Sequence, residues 1–167
     1  MKKILILVYL IALLSVLGIL TWQLFFQSNM VEIPQEIDSL KLTGKIKGQQ
    51  AINEIGKLHG VAIQNVDDGY ILTYKDTDGL EATIWLTVSK DNIAAKQLFE
   101  IMDSKMPNNK IFSDRQELII DNQNIVTVNG MNLTHYYWST ENKNFWVALR
   151  NNDRGLQVIE KVLAIRW

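Results

Sequence analysis

Residues 80–89 read LEATIWLTVS, and this stretch decides the fold. Leu80, Ala82, Ile84, Leu86 and Val88 alternate with Glu81, Thr83, Trp85 and Thr87. A period of two places the aliphatic set on one face of a strand and Trp85 on the other. Upstream, Tyr70 to Lys75 gives a second strand, and Asp78-Gly79 between the two is a hairpin-turn signal. Downstream, Ser89 and Asp91 offer N-caps for a helix to about Met102, with Ala94, Ala95, Leu98, Ile101 and Met102 facing a core; Pro107 stops it. Before the pair, Gly48 to His59 places Ile52, Ile55 and Leu58 on one helical face, with Gly60 as a C-cap.

The second half of the chain reads as a meander. Glu117–Ile120, Ile125–Val128, Leu133–Trp138 and Asn144–Arg150 are expected strands, and Asp153 to about Ile165 is an expected helix with Leu156, Ile159, Val162 and Leu163 inward. A shift of 61 residues aligns Leu72-Thr73 with Leu133-Thr134 and Trp85 with Trp146. It also aligns Leu98, Ile101 and Met102 with Ile159, Val162 and Leu163. Either a duplication or shared periodicity accounts for the match. The expected fold class is α+β: an antiparallel sheet with helices packed on one face, built from two strand-strand-helix units and preceded by one transmembrane helix.

That last element comes from residues 4–22, ILILVYLIALLSVLGILTW, with apolar character continuing through Phe26. The run is long enough to cross about 30 Å of hydrocarbon. A cleaved signal peptide has a shorter apolar core followed by small residues, which this run lacks. Lys2 and Lys3 precede it, and Glu32, Glu36 and Asp38 follow it, so the positive-inside rule puts the N-terminus inside and the remainder outside. Trp22, Phe25 and Phe26 would form an outer aromatic belt. The expected organisation is an anchor over 1–26, a spacer over 27–40 containing Pro34, and one extracytoplasmic domain over 41–167. The expected location is the cytoplasmic membrane, crossed once.

From Lys41 onward 15 basic and 15 acidic residues balance, with no run of like charge, so a nucleic-acid partner is disfavoured. The absence of cysteine excludes disulfides, thiol nucleophiles and thiolate metal sites; an exported domain stabilised by its core alone is typical of bacterial surface proteins. Asp76-Thr77-Asp78-Gly79 resembles the start of a calcium loop, but Thr87 stands where the distal Glu belongs, and a hairpin turn accounts for all four residues. No serine sits in a nucleophile elbow, and Asn132-Leu133-Thr134 matches a glycosylation sequon only by chance.

Leu58-His59-Gly60, the Tyr70–Tyr74 strand, the Ala82–Val88 strand and His135–Trp138 together resemble an uncharacterised family of bacterial exported, membrane-anchored proteins. The resemblance implies a class and no chemistry.

Two sets of residues could carry a function. Trp85 and Trp146 occupy matching strand positions opposite the aliphatic face, with Tyr74, Tyr136 and Trp138 on neighbouring strands and Arg150 at the end of the last one. An open face with these aromatics would stack on sugar rings or peptide, and a covered one would be a second core. His59 and His135, the only histidines, are weak candidates for a metal site completed by Asp67, Asp68 or Glu81. The leading expectation is a non-enzymatic, membrane-tethered envelope domain binding a protein partner or small envelope ligand, with no cofactor. The alternatives are a small envelope hydrolase or metal-dependent enzyme using His59 and His135, and a structural subunit of a membrane complex in which Ser15 and Gly18 are helix-packing residues.

Overall fold

The computed structural model describes residues 11–19, 21, 31–59, 63–150 and 154–167. The chain divides into two compact units, Pro34–Ile165 and a second made of Met1–Ile33 with Arg166–Trp167.

In the second unit, residues 11–19 are helical. Among the described residues no helix is long and apolar enough to cross a membrane, a task that needs about 20 apolar residues. This overturns the expected transmembrane anchor, and with it the single-pass membrane location, the membrane partner and the membrane-complex subunit. The expected span also includes residues 4–10, 20 and 22–26, with Trp22, Phe25 and Phe26 among them, which lie outside the described residues.

The Pro34–Ile165 unit is one eight-stranded antiparallel sheet with three α-helices. Its elements run β1 (Glu36–Ile37), β2 (Leu40–Lys47), α1 (Gln49–His59), β3 (Val66–Lys75), β4 (Glu81–Ser89), α2 (Asn92–Ser104), a 3-10 turn (Met106–Asn108), β5 (Phe112–Ile120), β6 (Gln123–Gly130), β7 (Leu133–Thr140), β8 (Lys143–Leu149) and α3 (Gly155–Ala164). The α+β class is as expected. Strand β1 and Leu40 fall within the stretch expected to be a spacer, and Ile37 and Leu40 are buried in the core.

Strand order is β1-β2-β3-β4-β8-β7-β6-β5. Strands adjacent in sequence pair antiparallel in each half, through hairpins except where α1 joins β2 to β3, and the halves meet where β4 pairs with β8, with Trp85 directly opposite Trp146. The turns explain the register. Asp76 Oδ1 accepts from the backbone N–H of Asp78 and of Leu80, both at 2.9 Å, closing the β3–β4 hairpin. Asp121-Asn122 and Met131-Asn132 both take positive φ, the geometry of two-residue hairpins that match strand twist. At α2, Asp91 Oδ1 accepts from Ala94 N–H at 2.8 Å, the N-cap expected from the sequence.

The two faces follow from the pairings. Leu72, Ile84, Val147 and Tyr136 align across β3, β4, β8 and β7, as do Tyr70, Leu86, Phe145 and Trp138. All eight are buried. Helix α3 packs on this face: its Gly155 lies where an added Cβ would come 2.8 Å from Tyr136 Oη and 3.5 Å from Leu149 Cδ1. Gly155, Val158, Ile159 and Val162 are its buried residues, whereas Leu156, expected inward, is exposed. The opposite face carries Ile71, Trp85, Trp146 and Tyr137 in one row. Helices α1 and α2 pack there: Ile52 and Ala51 lie over Gly69, and Asn144 Nδ2 donates to Ala95 O. Helices therefore cover both faces, which corrects the expectation of a single helical layer. The physical reason is that both faces are apolar, so each requires cover.

Candidate functional site

The Trp146 side of the second face is built as a closed cluster. Tyr137 and Trp146, cross-strand partners on β7 and β8, stack with ring centroids 4.7 Å apart and planes 6° from parallel. Such pairs add about 0.5–1.5 kcal/mol beyond area burial. The Trp146 indole N–H donates to His135 Nδ1 at 2.9 Å, and His135 Nε2 lies 3.1 Å from Gly130 O. One neutral tautomer satisfies both: Nδ1 accepts and Nε2–H donates. Burial of the imidazole holds the His135 pKa below its ordinary value, and this outweighs the Gly130 carbonyl, which favours protonation. Phe112 completes the cluster, with its ring centroid 5.0 Å from that of His135 and 5.5 Å from that of Trp146.

Next to it lies a second closed network. Tyr137 Oη donates to Asp103 Oδ1 at 2.7 Å, and Arg115 Nε and Nη2 grip the same carboxylate at 2.9 and 2.8 Å. The Arg115 guanidinium holds the Asp103 carboxyl below the usual carboxylate range, and burial and that carboxylate push the Tyr137 phenol up.

Trp85 differs from Trp146 in every one of these respects. Its side chain has no hydrogen bond and no ring contact with a described residue, although it is half-buried just as Trp146 is. Around it the second face is also half-buried rather than closed: Ile71 and Ile46 extend its row, and Thr73 and Thr83 form the next. Helix α1 packs on Gly69, and Phe112 at the start of β5 packs on His135 and Trp146. The strip between them is the candidate site. Beyond the threonines, Lys75 pairs with Glu81 at 3.1 Å, and Arg150 Nε reaches the same carboxylate at 3.9 Å.

The six aromatic-face residues expected from the sequence divide between the faces. Trp85, Trp146 and Arg150 share the second face. Tyr74, Tyr136 and Trp138 alternate onto the α3 face, where they are buried. There Trp138 stacks on Phe145 at 4.9 Å, and Tyr74 Oη donates to Pro34 O at 2.9 Å, with burial pushing the phenol up to about 12. Sequence reading did not single out Thr73, Thr83, Ile71 or Lys75. Their signal is the odd-numbered alternation in β3 that matches Trp85 in β4.

The metal-site alternative is overturned. Among the described residues no three His, Cys, Asp or Glu groups stand close enough to hold a metal. Both ring nitrogens of His135 are taken up by Trp146 and Gly130. The His59 side chain lies outside what the structure describes. In the Asp76 turn, burial raises the carboxyl pKa, but the backbone N–H groups of Leu80 and Asp78 and the Arg154 guanidinium outweigh it and hold the carboxyl low. Arg154 spends its guanidinium on Asp76, Asp38 and Ser39.

No family model matches the chain, and no curated protein is significantly similar to it. Among solved structures, a GTP binding regulator from Thermotoga maritima matches with 14% identity over 76% of this chain and 78% of that one, at a TM-score of 0.48. The resemblance to an exported, membrane-anchored family is corrected: no family model matches the chain, and among the described residues no helix is long and apolar enough to cross a membrane. A likeness of that size carries no argument about activity.

Proposed function

We propose that this chain is a non-enzymatic binding module whose ligand lies along Ile71, Thr73, Thr83 and Trp85, with the edge of Trp146 as one wall. One observation carries the reading. Both indoles are half-buried, but Trp146 is locked by stacking, a hydrogen bond and Phe112, whereas the side chain of the neighbouring Trp85 has none of these contacts. A free indole beside a rigid one is a pre-organised stacking surface with an unspent N–H donor. Further support comes from the groups nearby. On the same face, the His135, Asp103 and Tyr137 side chains are already bonded within the protein. The strip itself presents Ile, Thr and Trp, which recognise rather than transfer protons.

A thermal-unfolding screen of the full chain against short peptides and oligosaccharides tests the proposal. A ligand at 100 times its Kd is expected to stabilise the native state by about 2.7 kcal/mol. Trp85→Ala should abolish that gain, and the distant, exposed Ile119→Ala should keep it. A gain that survives Trp85→Ala places the ligand elsewhere, and no gain with any compound defeats the reading.

A further inference from the structure

We infer that the ligand of the Trp85 strip is an extended acidic peptide, whose carboxylate is taken by Lys41, Lys75 and Arg150 while an aromatic or aliphatic side chain stacks on Trp85. The inference rests on the binding reading above and deepens it.

The sheet register assembles a charged row at one end of the strip. Lys41 on β2 lies directly opposite Lys75 on β3, Lys75 lies opposite Glu81 on β4, and Arg150 N–H bonds to Glu81 O at 3.1 Å. Pairing residues directly across antiparallel strands puts their side chains on one face, here the face of Trp85. Across the sheet the row reads Glu36, Lys41, Lys75, Glu81 and Arg150, three cations against two carboxylates, so it keeps an excess of positive charge. Lys41 makes no ion pair with a described residue, and neither does Glu36, its partner on the edge strand β1. Glu81 alone serves both Lys75 and Arg150, whose side chains are 50% and 67% exposed. Exposed pairs of this kind contribute little to stability, so both cations re-partner readily. An arriving carboxylate offsets that excess of positive charge and gains charge-assisted hydrogen bonds.

Spacing selects the rest of the ligand. Trp85 and Glu81 are four residues apart on one strand, about 13 Å at 3.3 Å per residue. An extended peptide covers that distance in about four residues. Thr73 and Thr83, opposite each other midway, offer hydroxyls to the peptide backbone. The expected pattern is therefore an aromatic or aliphatic residue three or four positions from an acidic one.

Fluorescence polarisation with the full chain tests this. The probes are a fluorescein-labelled Trp-Gly-Ser-Gly-Asp peptide and its Asn-ended, amidated counterpart. The acidic peptide should bind at least about tenfold more tightly, a difference of about 1.4 kcal/mol, and the preference should shrink as salt screens the cations. The double variant Lys75→Glu, Arg150→Glu should erase the preference, and Trp85→Ala should weaken both peptides. Equal affinity of the two peptides with dependence on Trp85 overturns the acidic inference and leaves the binding module standing. A preference that survives charge reversal puts the carboxylate elsewhere and also overturns it. Trp85-dependent stabilisation by a neutral oligosaccharide, with no peptide binding, overturns the peptide class alone. Failure of every probe defeats both readings.

Discussion

His135 places both ring nitrogens in hydrogen bonds that only one neutral tautomer can make together. Its folded pKa is depressed, so at pH values below about 6.5 the unfolded chain binds a proton that the folded one resists. Stability from this residue is full above about 6.5 and drains away as pH falls through the window beneath it. Urea midpoints at pH 7.5 and 5 should differ in the parent and converge in His135→Gln; an unchanged pH slope in that variant would remove His135 as the cause. The Asp103 carboxyl, held low chiefly by Arg115, acts in a separate window, losing its contribution as pH falls below about 3.8. At the β6–β7 turn, Met131 adopts φ 54° and Asn132 φ 60°. A left-handed conformation costs an ordinary L-residue about 1–2 kcal/mol and asparagine less. Met131→Asn, at an exposed position, should raise stability by about 0.5–1 kcal/mol in chemical denaturation, and a loss would mean that the methionine side chain contributes packing that outweighs the strain. Residues of this kind were only partly legible. Alternation put Trp85 on its face, but nothing in the sequence distinguished His135 as an acceptor for Trp146 from His135 as a ligand, because that depends on which strand lands beside β7.

Strongly apolar strands, β4 with its period of two and β8 with its continuous run from Phe145 to Leu149, were legible to within a residue, and polar ones were not. Strand β5 was expected only from Glu117, because Phe112 to Gln116 reads FSDRQ and has little β propensity. Tertiary contacts extend it instead. Phe112 folds over Gly130, and Arg115 ties the edge strand to Asp103 of α2. Strand β2, LKLTGKIK, alternates apolar and polar residues, but its lysines and its start at the edge of an apparent spacer concealed it. These tertiary causes lead to two expectations. Arg115→Ala breaks a bidentate pair that is about a quarter to a third exposed, so solvent screening limits its cost to about 1 kcal/mol or less. Hydrogen exchange should nevertheless speed up at residues 112–116 and stay unchanged in β4 and β8; uniform acceleration would argue against a local strap. Gly130→Ala should cost more, about 1–3 kcal/mol, because the new Cβ would sit 2.8 Å from Ile111 O, a backbone atom that cannot swing aside.

At the scale of the whole unit, the 61-residue correspondence between Trp85 and Trp146 reappears as geometry: the two residues face each other where β4 meets β8, at the middle of a strand order that reads outward symmetrically. The strands obey that symmetry and the helices do not. α2 follows β4 onto the Trp85 face, whereas α3 follows β8 onto the opposite one. Sequence periodicity reveals that a helix has an apolar stripe but not which of two apolar sheet faces receives it. That is why the helical layers were misplaced while the hairpins were not. The seam has a thermodynamic consequence. Leu86 and Phe145 are directly opposed across it, and both are buried. Truncating a fully buried leucine costs about 2–5 kcal/mol, so Leu86→Ala should lower the stability of both halves together rather than release one. Because backbone hydrogen bonds run unbroken from β3 through β4 and β8 to β7, far-UV circular dichroism and tryptophan fluorescence should report one coincident transition in parent and variant alike. Separate transitions in Leu86→Ala would instead show that each four-stranded half holds its fold alone, and that β4 and β8 form a contact between two stable units rather than the centre of one cooperative sheet.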